Sequence, residues 1–499
     1  MFHKYHPSIQ RYTLVSSKSQ IFLLIFLDST IFLFSEAKIL ENRIFCRFLR
    51  TNFNSMRTFL FALFVLVSVC YNSSQAQSSQ PFLSSEDSLM RLKSDFCKTH
   101  SQILSELSAF NLHTDPKQIE RWENELKLEM RVIDGQKMYF RNAVSNLFRL
   151  DSAANAQRVR IAGPDKEEDV WKRVPRETAL LVCKEKEKDG LLFAPRDFDI
   201  SFHIKIPRKS LLSEDSVLKY WMPAPHSYTD RQKSTRLIAT SPAACVKELN
   251  NEHASVYFEQ ILANQMNDIQ FESQYSFTSY AQHYSLPYLF KNAQPVDTLS
   301  ELYTYYTREQ QKHIRFTPEI ESLASTLKDS ASDVQTIKNI FDYISDNIPW
   351  CSAVEYCNID NIPMYVLRNR HGDCGQVSLL FITLCRRCGI PAKWQSGWML
   401  HPGAENLHDW TEVYLGGIGW IPVDVSFGRI DHPDPDIAYF YLGGIDPYRM
   451  IVNQDFSADF SPRKSFYRSE PVDFQRGEVE SNVRNLYFNE WRYKMSKNN

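Results

Sequence analysis

The sequence predicts an α+β protein, and three observations carry that prediction. Cys374 is followed by Val377, Leu380, Phe381, Leu384 and Cys388, the spacing of a helix with one buried face. Downstream, His408 to Leu415 and Trp420 to Val425 are two strand-like runs joined by Gly416-Gly417-Ile418-Gly419, which makes an antiparallel hairpin. Upstream, Phe198, Ile200, Phe202, Ile204 and Ile206 alternate strictly, as in a half-buried strand. The chain has 499 residues, 43% of them hydrophobic and 23% charged, enough to build about three domains. Its net charge of −2 supplies no basic field, so no nucleic-acid partner is expected.

In chain order, Met56-Arg57 and the apolar run Thr58 to Val67 read as the start of a secretory leader. Ser74-Gln75-Ala76 supplies the small residues for cleavage before Gln77. Residues 56–76 are thus expected to be a signal peptide, residues 1–55 a non-native upstream extension, and the mature protein to be exported, periplasmic or extracellular. Ile21 to Phe34 is the competing membrane segment, but it is short for a span and contains Asp28. A lipid anchor at Cys70 is disfavoured by the large Val69 before it. No stable membrane span is expected after cleavage.

Residues 77–190 are expected to be mainly helical, with apolar positions at Leu89, Leu92, Phe96, Val144, Leu147 and Phe148, and Pro116 opening one helix. No chemistry-bearing motif falls there, so the region packs on the rest or docks a partner. Residues 191–300 read as an antiparallel β domain, with further strands at Val217–Met222, Arg236–Thr240, Ser255–Phe258 and Ile269–Phe277. Residues 301–455 form the expected catalytic domain. Thr317-Pro318-Glu319 caps its first helix, and Ser332-x-x-Gln335 is a capping box for the second, whose buried face is Ile337, Ile340, Phe341 and Ile344. The tail, residues 456–499, is expected to pack on the core.

Cys374 falls in the first turn of its helix, where unpaired N–H groups and the dipole favour a thiolate. Gly389 and Ile390-Pro391 end that helix. On the hairpin, His408, Trp410, Glu412 and Tyr414 share one face, and Asp424 on the second strand can lie beside His408 and orient the imidazole. Nucleophile, base and orienter therefore occur in the order Cys374, His408, Asp424. Asp409 is taken as an outward-pointing strand position.

The motifs Gly372-Asp373-Cys374, Gly389-Ile390-Pro391-Ala392, His408 to Tyr414 and Gly419 to Asp424 resemble the transglutaminase-like superfamily, relatives of papain-type cysteine enzymes, in its secreted bacterial form. The resemblance covers Phe316 to Asn453. It departs at Asp409, where small residues are common. It implies a papain-like, transglutaminase-like core, a helix with an N-terminal cysteine packed on an antiparallel sheet, and carries the triad roles onto Cys374, His408 and Asp424. It also suggests Trp350 as an oxyanion donor; Gln376, in the nucleophile's own turn, is a second candidate. Trp221-Met222-Pro223-Ala224-Pro225 is similar to a strand end that often precedes such cores. The implied activity is thiol chemistry on a peptide or protein amide through a thioester, hydrolytic by preference. Protein-glutamine cross-linking and a non-catalytic binding protein on the same fold are the alternatives.

Cys351 and Cys357 flank a short loop that a disulfide would close. Cys385-x-x-Cys388 lies late on a helix without a second pair, so it reads as structural rather than zinc-binding. Asp431, Asp434 and Asp436 sit in a Pro-rich loop without the spacing of a calcium site and read as a solvated turn. No metal and no cofactor is expected.

Overall fold

The computed structural model describes residues 83–498 apart from 113–114, 165 and 264–266, and three strands nearer the N-terminus. Those strands, β1 (Ile9–Ser17), β2 (Gln20–Leu27) and β3 (Thr30–Ser35), pair antiparallel in chain order within a unit of their own, Met1–Gln80. The competing membrane segment at Ile21 to Phe34 overlaps β2 and β3. The expected signal peptide, residues 56–76, lies outside the described residues. Among the described residues, no helix is long and apolar enough to cross a membrane.

Within the unit Pro81–Asn499, the first segment is helical as expected: α1 (Ser85–Asp95), α2 (His100–Ser108), α3 (Pro116–Asn124), α4 (Ala143–Leu150), α5 (Ser152–Ala162) and α6 (Lys166–Val182). Ser84, Thr99 and Asp115 cap the first three by accepting backbone N–H groups, and Pro116 opens α3. The same region also holds a small sheet, β4 (Lys98–Thr99), β5 (Met130–Ile133) and β6 (Gln136–Tyr139), in the order β4-β6-β5. Its hairpin turns on Asp134-Gly135, both at positive φ, the dipeptide such a tight turn requires.

The strands that follow are β7 (Leu192–Ile206), β8 (Val217–Pro223), β9 (Gln232–Ser241), β10 (Val246–Glu248), β11 (Ser255–Ile261) and β12 (Ile269–His283). All five strand segments read from the sequence are present, several of them longer than expected. The alternating residues of β7, from Phe198 to Ile206, share a core with Tyr220, Trp221, Phe258 and Phe271.

Two helices, α7 (Leu286–Asn292) and α8 (Glu301–Tyr306), lead to α9 (Pro318–Leu327), α10 (Asp333–Asn347), α11 (Ile362–Asn369) and α12 (Cys374–Arg387). Against α12 stands a sheet of β13 (Ala392–Met399), β14 (Asn406–Leu415), β15 (Gly419–Val423) and β17 (Arg449–Asn453), ordered β15-β14-β13-β17. The short β16 (Gly444–Ile445) joins β12 instead. Val377, Leu380, Phe381 and Leu384 of α12 share one core with Val413, Leu415, Ile421 and Val423 of the hairpin and with Phe96, Leu147 and Phe148 of the N-terminal helices. Helix on sheet thus has the predicted α+β arrangement, and the N-terminal region is packed into it.

The tail does more than cover the core. β18 (Glu478–Ser481) and β19 (Asn485–Leu486) extend the order β10-β11-β8-β18-β19, while β20 (Arg492–Lys497) pairs with β7 at the edge of β16-β12-β7-β20. Trp491 fills the shared core, and its Nε1–H donates to Leu486 O at 3.1 Å. Trp491→Ala is expected to cost about 3–5 kcal/mol of stability in urea denaturation.

Candidate active site

Cys374 begins α12 because Asp373 caps it. The Asp373 carboxylate accepts the Gln376 N–H at 3.0 Å, and Gln376 Oε1 accepts the Asp373 N–H at 3.2 Å, closing a capping box. Gln376 is buried with its oxygen committed to the cap, and its Nε2 has no partner among the described residues. The Tyr356 hydroxyl donates to both Asp373 oxygens, at 2.8 and 3.0 Å. It also lies where a Cβ at residue 375 would stand, together with Asp409, so Gly375 is the residue this close approach requires.

Cys374 lines a cleft of about 270 Å³ with Tyr356, Asp373, Asp409, Asp473 and Trp350. Its Sγ–H donates to Asp409 Oδ2 at 3.1 Å, and no hydrogen bond joins it to His408 among the described residues. The strand period explains this. On β14, Thr411, Val413 and Leu415 face the core under α12, and Asp409 lies on the same side, whereas His408 and Trp410 lie on the other. Asp409 is therefore not the outward position the sequence suggested. It is buried, because β14 is covered on both faces.

The environment of the thiol differs from expectation for the same reason. Burial, then the carboxyls of Asp409 and Asp373, push the Cys374 thiol well above its ordinary value, outweighing a backbone hydrogen bond from Asp409. Burial also raises Asp373, to about 6, and raises Asp409 strongly, with Asp473 and Asp373 adding like charge.

On the other face, the imidazole pair is made. His408 Nε2 donates to Asp424 Oδ2 at 2.7 Å, and Nδ1 has no hydrogen-bond partner among the described residues. Asp424 also accepts from Arg449 Nη1 at 2.8 Å and from the Phe427 N–H at 3.0 Å. Arg449 continues to Asp446 through Nε at 3.1 Å and Nη2 at 2.6 Å, and His401 Nε2 stands 3.1 Å from Asp446 Oδ1. Burial would raise Asp424, but His408 and Arg449 hold it below the usual carboxylate range. Burial depresses His408 against the pull of Asp424. Phe427 stacks on it with centroids 4.6 Å apart. Phe427 also lines a second cleft, of about 160 Å³, with Gly372, Val377 and Trp350. Trp350 is thus a wall of both clefts, one holding the thiol and one bounded by the ring stacked on the imidazole.

Residues far apart in sequence complete the thiol's cleft. Gln475 Nε2 donates to Asp409 Oδ1 at 2.8 Å and to His408 O at 2.9 Å. Glu355 is half-buried, and Arg476 and Arg141 bring it down to about 2. The N-terminal region holds the same loop. Asp95 accepts the Glu355 N–H at 2.9 Å and the Asn358 amide at 2.6 Å, and Asn146 Nδ2 donates to Ser352 O at 2.9 Å. Cys351 and Cys357 in that loop are free buried thiols, not a disulfide. Cys385 and Cys388 are core residues, and Asp434 caps the short helix α13 (Pro435–Ala438). Arg449, Tyr356, Asp473 and Gln475 carry no sequence signal of a site role, since none sits in a short motif. Only the acidic residue at position 409 stood out.

Residues 321–425 are a transglutaminase-like superfamily domain. The chain is similar to YebA of Bacillus subtilis (strain 168), 26% identical over 192 residues, which is 34% of this chain and 26% of that protein. Among solved structures it is similar to a candidate cysteine protease from Cytophaga hutchinsonii, at 15% identity and TM-score 0.38, covering 61% of this chain and 93% of that one. It is also similar to the periplasmic domain of TgpA from Pseudomonas aeruginosa, at 13% identity and TM-score 0.24, covering 51% and 92%.

Two outcomes are expected. Arg449→Gln leaves two buried carboxylates without their cation and should cost about 3–5 kcal/mol, read by urea denaturation. Glu470, in the wall of the thiol's cleft, is pushed up to about 8 by burial. The folded chain therefore keeps a proton that the unfolded chain loses, and stability falls as pH rises from the ordinary carboxylate range to about 8. The melting temperature of Glu470→Gln relative to wild type should accordingly climb between pH 5 and pH 8.

Proposed function

We propose that this protein is an exported thiol enzyme that hydrolyses amide bonds of peptides or proteins, with Cys374 as nucleophile, His408 as general base and acid, and Asp424 as its orienter. The observation that carries this reading is the buried His408–Asp424 pair at 2.7 Å, tied down by Arg449, beside a helix that opens on a cleft-lining cysteine. With Nε2 engaged by Asp424, Nδ1 is the nitrogen left for the thiol. Export rests on the leader read at residues 56–76.

The sulfur first leaves Asp409 and turns to the imidazole. Its proton passes to His408 Nδ1, and the thiolate adds to the substrate carbonyl carbon. Backbone N–H groups at the start of α12 receive the oxyanion, with the Trp350 indole at the cleft wall as a candidate second donor. The C–N bond breaks as His408 returns the proton to the departing amine, leaving a thioester on Cys374. Water, deprotonated by His408, then releases the acid and restores the thiol. An amine in place of water would give cross-linking. The carboxyl- and arginine-lined cleft, which is open to solvent, favours water as the acceptor.

Cys374→Ser should abolish hydrolysis of a peptide amide library. His408→Ala should lower hydrolysis by about 100-fold or more and slow iodoacetamide labelling of Cys374, followed by intact mass. Labelling that is slow in wild type and unchanged in His408→Ala would overturn the assignment and bring the binding-protein reading forward.

A further inference from the structure

Cys374 Sγ–H donates to a carboxyl group, where the resemblance calls for an imidazole. Asp409 is itself fixed. Gln475 donates to its other oxygen, and Asp473 lies beside it: Ser396, the cross-strand partner of Asp409, donates its Oγ–H to Asp473 Oδ1 at 2.6 Å, and Asn453 Nδ2 donates to the same oxygen at 2.8 Å. Two buried carboxyls gathered on one serine cannot both be ionised without a large like-charge penalty, so they share a proton.

We propose that Asp409 is a positioning residue that holds Cys374 as an un-ionised thiol turned away from His408, and that the proton shared between Asp409 and Asp473 governs its release. This rests on the proposed reading of Cys374 as nucleophile and His408 as its base. A carboxylate 3.1 Å from sulfur opposes a thiolate there, while a carboxylic acid does not. When the shared proton sits on Asp409, the sulfur is free to give its own proton to His408 Nδ1, and the proton between the two acids stays where it is.

The other charged groups around this pair come from every element packed on it. Asp373 and Tyr356 face it from the start of α12 and the preceding loop. From the C-terminal segment, Arg468 acts on Asp473, and Glu470 and Arg476 close the cleft wall with Glu355 and Arg141. Arg476 and Arg141 are engaged by Glu355, which leaves the shared proton as the means of neutralising Asp409.

The test is the pH profile of Cys374 alkylation by iodoacetamide on the full chain, with thermal melts recorded alongside. In Asp409→Asn the half-point should move down by one pH unit or more, making labelling below the half-point about tenfold faster. In Asp473→Asn the half-point should move up, because Asp409, freed from its like-charged neighbour, stays ionised to lower pH. A purely structural pair would shift both variants alike, or neither. An Asp409→Asn half-point that is unmoved or higher overturns the proposal. Should that variant not fold, Asp473→Asn decides alone: an upward shift supports the proposal, and no shift or a downward one overturns it. The double variant Asp409→Asn/His408→Ala separates the two readings. Slow labelling in it supports both, and labelling as fast as in Asp409→Asn keeps the restraint while removing His408 as base. An unmoved Asp409→Asn with a slowed His408→Ala leaves the triad standing and removes the restraint.

Discussion

Arg449 is the hinge on which the imidazole side of the site depends. One guanidinium bridges Asp424 and Asp446 in a place without water-exposed surface, and its fork geometry lets a single cation satisfy both carboxylates. Without it, a buried aspartate beside His408 would tend to protonate, and a protonated aspartate would no longer stabilise an imidazolium formed on the ring. The rings of Trp410, Phe427 and Tyr441 surround the guanidinium and replace part of the hydration it gives up. The orienter works because its own charge is maintained from behind.

The nucleophile side rests on different physics. There the helix start, a tyrosine hydroxyl and three carboxyl groups converge, and burial favours their neutral forms. A strand that is buried on both faces keeps the two halves apart, acid toward the helix and imidazole toward Phe427. Such a site favours a protonated sulfur at rest and makes the approach of thiol to imidazole a separate event from the chemistry.

What could be read from the sequence was local. The period of α12, its capping residues and its glycine stop come from neighbours in the chain, as do the hairpin and the alternation of β7. The His408–Asp424 contact followed from hairpin geometry alone. Alternation alone suggests a solvent side for Asp409, whereas Val413 and Leu415, in step with it, are apolar and mark that side as core. The β5–β6 hairpin interrupts a stretch whose apolar spacing is helical, and Asp134-Gly135 is the local sign of its turn. The pairing of β18 with β8 and of β20 with β7 had no local signal, since nothing in a short tail strand names a partner across half the chain. Asp473, Gln475 and Arg449 reach the site by such long-range contacts.

The placement of the C-terminal segment has a consequence for the protein's biosynthesis. Gln475 and Asp473 hold Asp409, and Arg476 anchors the loop carrying Tyr356, yet all three are made about a hundred residues after the cysteine they surround. A chain that folds as it is synthesised would bury the hydrophobic face of α12 well before those side chains exist. The thiol's surroundings are therefore completed only after the helix is buried, so the synthesis of this later segment, and not only the order of domains, decides when this cysteine first meets its final electrostatic setting.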